Sequence, residues 1–286
     1  MSDIVYLNGR YLPRDQAAIS PDDRGFIFAD GVYEVVRYYG GRPFAMDAHL
    51  RRLQYSLGEL RIVHPDVSFE AISRELVERN RRPECYVYWQ VTRGVAIRNH
   101  AFPDPPVPPT VYAFVKPQPP LDLAGPPKPM AAITHRETRW ACCAIKSIAL
   151  LPNVLAREAA ADAGADEAIF VREGSDLVTE GTARSVFAVI EGQLRTHPLD
   201  GSILGSITRA VCIELAGELG LAVREEAFTR DRMLAADELF AAGTTTEVRP
   251  VTEVDGQPIA DGECGPVTRQ LGDALRRRIV RECGLE

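Results

Sequence analysis

Short alternating or β-rich runs punctuate the first third of the chain, and two amphipathic helices lie between them. The run from Val32 (V-Y-E-V-V-R-Y-Y), Cys85 to Thr92 (C-Y-V-Y-W-Q-V-T) and Thr110 to Val115 (T-V-Y-A-F-V) are rich in β-branched and aromatic residues and predict strands. Asn8-Gly9 predicts a two-residue hairpin turn joining 4–7 to Tyr11 and Leu12, and Gly40-Gly41 closes the strand that begins at Val32. Leu50, Leu53, Leu57 and Leu60 share one face of a helix that Asp47 can cap, and a second helix is expected from Ser68 to Asn80.

The segment K-P-Q-P-P-L-D-L-A-G-P-P-K-P-M, from Lys116 to Met130, holds too much proline for a helix or an inner strand. It is the expected domain boundary, a stiff linker over 117–129 between an N-terminal domain of 1–116 and a C-terminal domain of 130–286. Beyond it the pattern predicts strands at 130–134, 167–171, 177–179, 185–190, 193–196 and 222–225, with one more ending near Ala242. Glu191-Gly192 joins two of these, and helices are expected over 154–163, 207–219 and 266–281. Strands and helices mix without regular βαβ repetition, which favours an α+β fold.

With 286 residues, 45% hydrophobic and 26% charged, the chain has room for two cores. A net charge of −7 argues against nucleic acid as the main partner, and the arginines at 79, 81 and 82 and at 276 to 278 read as solvated helix ends. No stretch has the length of a membrane span, and the first residues lack a basic region followed by an apolar core, so a cytoplasmic location is expected. The six cysteines show no metal-ligand spacing; no metal site and no disulfide framework are expected, and Cys142 and Cys143 read as reduced, buried thiols.

Lys146 is the only charged residue between Trp140 and Ala156. An ammonium in apolar surroundings loses hydration, which favours a neutral amine able to attack a carbonyl, and this is Schiff-base chemistry. The alternative is a lysine that lays its stem on the core and keeps its head in water. If the aldehyde is that of pyridoxal 5′-phosphate, the phosphate needs backbone donors, hydroxyls and a cation, and the ring nitrogen needs an acid partner. S-I-L-G-S-I-T-R, Ser202 to Arg209, places Ser206 and Thr208 where a loop enters a helix, and A-G-T-T-T-E from Ala242 offers Thr244 and Thr245. Helix capping is the commoner reason for hydroxyls at a helix start, and Glu180 in T-E-G-T reads by default as a solvated carboxylate. Arg98 and His100 flank Asn99 in a loop, where an arginine fork and an imidazole can grip a carboxylate or be ordinary polar loop residues.

From end to end the chain resembles the fold-type IV pyridoxal-phosphate aminotransferases, on the side of the family that acts on D-amino acids. The resemblance is carried by D-R-G-F-I-F-A-D-G-V-Y-E-V-V-R (23 to 37), H-L-R-R-L (49 to 53), Y-W-Q-V-T-R-G-V-A-I-R-N-H (88 to 100), I-K-S-I-A-L-L-P-N-V-L-A (145 to 156), V-T-E-G-T (178 to 182) and L-G-S-I-T-R (204 to 209). It implies two domains, the smaller N-terminal one α/β and the larger C-terminal one built on a mixed sheet or barrel. It also implies Lys146 as Schiff-base lysine and proton shuttle, and Glu180 as partner of the pyridine nitrogen. Arg52, Ile207, Thr208 and Thr244 would hold the phosphate. Tyr33, with Arg98 and His100 from the neighbouring subunit of a homodimer, would bind the substrate carboxylate. The implied reaction passes the amino group of D-alanine or another D-amino acid to 2-oxoglutarate, giving a 2-oxo acid and D-glutamate. Alternatives on the same scaffold are an (R)-amine transaminase, a branched-chain L-amino-acid aminotransferase and an aminodeoxychorismate lyase.

Two departures from the family pattern stand out. Ser185 occupies a position that is usually asparagine, preceded by Arg184 where a small polar residue is usual, and Gly243 replaces a commoner serine. They bear on how the cofactor is seated.

Overall fold

The structure, a computed structural model, describes residues 3–123, 125 and 127–285. Its backbone divides into two compact units. The first comprises Met1–Leu121, Ile145–Ala149 and Val280–Glu286, and the second Asp122–Ala144 and Leu150–Ile279. Thus the short stretch bearing Lys146 belongs to the first unit, although it follows the proline-rich linker in sequence.

In the first unit, β1 (Ile4–Leu7), β2 (Arg10–Pro13), β3 (Gly31–Tyr39), β4 (Arg42–Pro43), β5 (Cys85–Thr92) and β6 (Thr110–Pro117) form a six-stranded sheet in the order β2-β1-β6-β5-β3-β4. All its pairings are antiparallel. The β1–β2 turn has Asn8 and Gly9 both at positive φ, as a two-residue hairpin of the expected kind requires. Helices α1 (Arg24–Phe28), α2 (Met46–Glu59) and α3 (Phe69–Asn80) complete the unit. Alternation along β5 buries Cys85, Val87, Trp89 and Val91 against Leu53 and Leu57 of α2 and Phe69, Ile72 and Leu76 of α3. Ser68 caps α3 through its side chain, whereas α2 is not capped by Asp47: Ala45 stands at that position and Asp47 lies in the first turn, where its charge favours the free amides.

The second unit holds a nine-stranded mixed sheet built from β7 (Met130–Arg136), β8 (Glu167–Val171), β9 (Val178–Gly181), β10 (Ser185–Ile190), β11 (Gln193–Thr196), β12 (Val223–Glu225), β13 (Glu238–Gly243), β14 (Glu247–Val254) and β15 (Gln257–Pro258). The order is β12-β11-β10-β13-β14-β7-β8-β9, with β15 on β14, and β7 runs parallel to both β14 and β8. Helices α4 (Leu151–Asp162), α5 (Ile207–Glu218), α6 (Arg230–Leu234) and α7 (Pro266–Cys283) accompany it. α4 begins three residues earlier than the pattern suggested, because Pro152 sits in the first turn where a missing N–H leaves nothing unpaired. β14 escaped the sequence reading, since Pro250 argues against an inner strand. Its pairing with β7 starts only at Val251, past the proline.

Candidate active site

Lys146 is fixed by its backbone. Its carbonyl accepts the N–H of Tyr33 at 3.0 Å and its own N–H donates to Oγ of Ser56 at 3.1 Å. The following residues continue the attachment: Ser147 bridges Val32, and the N–H of Ile148 donates to the carbonyl of Gly31. A side chain at Gly31 would force the backbone to shift, because its Cβ would lie 2.8 Å from the carbonyl oxygen of Val91 and 3.0 Å from Ile148. The half-buried lysine holds Nζ 4.2 Å from the centre of the Tyr33 ring, a cation–π contact. Tyr33 itself stacks on Tyr88, which stacks on Phe114.

One residue along β3, Glu34 points to the opposite face, in the inward phase shared by Val32 and Val36, and is fully buried. Arg52 grips it with two parallel bonds, Nε to Oε1 at 2.6 Å and Nη2 to Oε2 at 2.9 Å. His49 lies 2.9 Å from Oε2 through Nδ1. Burial alone would raise the Glu34 pKa, but the charge and hydrogen bonds of Arg52, with the bond from His49, outweigh it and hold the carboxyl far below its usual range. Burial depresses the His49 pKa despite Glu34, so the ring is neutral and its Nδ1–H donates. His49, Arg52 and Ser56 follow at helical spacing along α2, so one polar line carries both the arginine and the hydroxyl that receives the Lys146 amide.

Arg98 and His100 lie exposed on the loop after β5, both against Phe28: the Arg98 guanidinium is 5.3 Å and the His100 ring 5.5 Å from its centre. The loop is anchored by buried Arg24, which donates to the carbonyls of Asn99 at 2.6 Å and Ala101 at 3.3 Å and to Asp30 at 2.8 Å. Asp30 also receives two bonds from Arg93, whose guanidinium stands 3.6 Å over Phe102. These arginines keep Asp30 below the usual carboxylate range against the effect of its burial.

In the second unit, Glu180 on β9 is buried and accepts the N–H of Leu204 at 3.1 Å and a charged hydrogen bond from Arg139. Arg139 is itself nearly enclosed, pairs with Glu137 at 2.6 Å and lies 4.5 Å over the ring of Phe170. Burial would lower its pKa, but Glu137 and Glu180 raise it further, so the cation beside Glu180 is permanent. Ile207 and Thr208 open α5, where first-turn N–H groups have no partner within the helix. Ser206 caps that helix by accepting the N–H of Arg209, so its hydroxyl oxygen is engaged there. Thr244 and Thr245 lie in the turn after β13, the first half-buried and the second exposed. The hydroxyl of Ser185 is buried and has no hydrogen-bond partner among the described residues.

Tyr33 and Lys146 are therefore brought into contact within the first unit, while Arg98 and His100 share Phe28 and not Tyr33. Glu34, His49, Arg24 and Arg139 were not singled out from the sequence. Glu34 alone left a legible signal there, as an acidic residue at an inward position of a strand. The paired cysteines separate: Cys143 is buried but Cys142 is exposed, and of residues 141–150 only Cys143 and Ser147 are buried. Among the described residues no group of three or more His, Cys, Asp or Glu side chains is placed to hold a metal ion.

A family model described as amino-transferase class IV matches residues 31–254. The D-alanine aminotransferase of Bacillus licheniformis is 41% identical over 284 residues, covering 97% of this chain and 98% of that protein. That of Staphylococcus epidermidis (strain ATCC 12228) is 39% identical, covering 96% and 97%. Among solved structures, the branched-chain amino acid aminotransferase of Escherichia coli has a TM-score of 0.83 at 26% identity, covering 95% of this chain and 92% of that one. The branched-chain enzyme of Thermobaculum terrenum, in its PLP-bound holo form, has a TM-score of 0.82 at 28% identity, covering 99% and 97%. The chain belongs to the class IV aminotransferases, the fold-type IV family of pyridoxal 5′-phosphate-dependent enzymes.

Proposed function

We propose that this aminotransferase works on D-amino acids, with D-alanine as an amino donor and 2-oxoglutarate as acceptor. The observation that carries the D-amino-acid reading is the pair Arg98 and His100, displayed on one loop that buried Arg24 holds by two carbonyls. An arginine fork with an adjacent imidazole suits an α-carboxylate, and Tyr33 would complete the grip. Both residues are exposed, as are Ile97 at 92%, next to Arg98 in sequence, and Phe26 at 78% on α1, which supports a homodimer in which they serve the neighbouring copy. Six free cysteines support a reducing, cytoplasmic setting.

The chain's polar groups suit the cofactor. The phosphate would rest on Arg52, the N–H of Ile207, the N–H and hydroxyl of Thr208, and Thr244, with the unpartnered Ser185 hydroxyl a further donor on the residue paired with Ala242, two positions before Thr244. Glu180, paired with Arg139, would hold a proton at the ring nitrogen. When bound, the cofactor supplies an aldehyde and an electron-accepting ring. Lys146 would form the covalent link through Nζ and carry the proton that leaves the substrate Cα. Arg52 does this work in a fixed pose, because Glu34 takes two of its nitrogens and leaves it no freedom to swing.

The test is a substrate profile with 2-oxoglutarate as acceptor, using D-alanine, L-leucine and (R)-1-phenylethylamine. D-Alanine should give the highest kcat/KM; a preference for L-leucine would move the enzyme to the branched-chain group. Borohydride reduction followed by peptide mass analysis should place the cofactor on Lys146, and a reduced adduct on another residue overturns the assignment.

A further inference from the structure

Arg184 follows the turn that leaves β9, and its guanidinium ties together two parts of the second unit. Nη1 pairs with Oε2 of Glu167, a carboxylate at the start of β8 with no exposed surface. The other oxygen of Glu167 is saturated by the N–H groups of Ala168 and Thr182, each at 3.0 Å, and by the Thr182 hydroxyl. Glu167 is therefore an immovable anchor, and among the described residues Arg184 supplies the one full charge paired with it. On its other side, Nε of Arg184 donates to Oγ1 of Thr246 at 2.7 Å. The N–H of Thr246 closes the turn by donating to the carbonyl of Gly243 at 3.1 Å, and Thr244 sits inside that turn.

Gly243 completes the arrangement. Its φ is not positive, so backbone strain does not call for a glycine. A Cβ there would lie 3.4 Å from Cγ of Arg184 and 3.5 Å from the carbonyl of Ala183, ordinary contact distances, so the arginine stem lies directly alongside Gly243 and leaves room for a small side chain.

We propose that Arg184 is a positioning residue for the cofactor phosphate: anchored on Glu167, it fixes the Gly243–Thr246 turn through Thr246 and so presents Thr244 at a set place. The device rests on the reading above in which Thr244 is a phosphate ligand. It acts on the phosphate end of the cofactor and not on the ring or the lysine.

Titration of the apoprotein by fluorescence with pyridoxal 5′-phosphate and, separately, with pyridoxal separates these ends. Thr246→Val leaves the Arg184–Glu167 pair intact and removes only the link to the turn. It should weaken binding of the phosphorylated form about tenfold, the scale of one charged hydrogen bond, and leave pyridoxal binding within about twofold. Arg184→Met should do the same or more, provided circular dichroism shows it folded. If Thr246→Val binds pyridoxal 5′-phosphate as tightly as the parent, or loses both ligands equally, the positioning role is wrong. Thr244→Val is run beside them: if it weakens the phosphorylated form while Thr246→Val does not, the phosphate site stands and the role of Arg184 falls. If Thr244→Val also has no effect, the phosphate reading of the turn falls with it.

Discussion

Arg52 and Glu34 meet in a two-pronged ion pair, 2.6 and 2.9 Å long, with the carboxylate fully buried and the arginine nearly so. Removing one partner strands the other. Arg52→Ala should lower the unfolding free energy by about 3–5 kcal/mol. Arg52→Lys should recover part of that stability but little cofactor affinity, since an ammonium cannot occupy both oxygens and still face a phosphate. Urea unfolding and cofactor titration of both variants check this, and equal recovery of both quantities would contradict it.

Acid should attack the same cluster. Glu34 has a folded pKa below its reference of 4.5, so its contribution is fully present above that value and drains away as pH falls toward the depressed one. His49 acts in the same direction from its reference of 6.5 downward, because the unfolded ring takes up a proton that the buried ring refuses. Urea midpoints measured between about pH 7 and pH 3 should therefore decline. In Glu34→Gln the midpoint should start lower and decline less steeply; a slope equal to the parent's removes Glu34 from the explanation.

Arg139 gives Glu180 its permanent neighbour, and Glu137 holds Arg139 in turn. Arg139→Met leaves Glu180 without the cation it pairs with and should lower kcat by about ten- to a hundredfold with KM nearly unchanged. A rise in KM with kcat unmoved would mean that the arginine does not act through Glu180.

Substrate recognition should divide from chemistry at the loop after β5. A bound carboxylate would bury the pair it makes with Arg98, so Arg98→Ala is expected to reduce kcat/KM for D-alanine by an amount equivalent to about 2–5 kcal/mol, chiefly through KM. Arg24→Lys leaves Arg98 in place but loosens its anchorage at Asn99 and Ala101. It should raise KM about tenfold with kcat nearly unchanged. A fall in kcat alone for Arg24→Lys would rule out a positioning role for that arginine.

Strand edges were legible where β-rich runs met clear turn signals: β5, alternating, and β8 and β10, buried almost throughout, match the residues read from the pattern, as does β11. α1 and α6 span five residues each, too few to show a period, and β14 was hidden by Pro250. At the site, sequence isolation drew notice to Lys146, loop and strand-end positions drew it to Thr208, Thr244, Glu180, Arg98 and His100 with other readings open, and motif resemblance supplied Arg52, Ile207 and Tyr33. What the sequence could not reveal were partners distant in the chain. Arg139 and Glu180 are 41 positions apart and Arg24 and Asn99 are 75 apart, so only folding brings those charges and carbonyls together. The polar line of His49, Arg52 and Ser56 was overlooked for a different reason: its helical spacing runs beside the leucine stripe, and its meaning depends on the inward turn of Glu34.

The saturation of Glu34 has a bearing on directed evolution of this scaffold. A library that varies position 52 alone keeps a fixed anion at its floor, and nearly every member must pay for that mismatch before any gain in cofactor or substrate scope can register. Randomising 34, 49 and 52 as one codon block lets neutral or charge-inverted solutions arise together, and those are where new phosphate-end specificities should be sought.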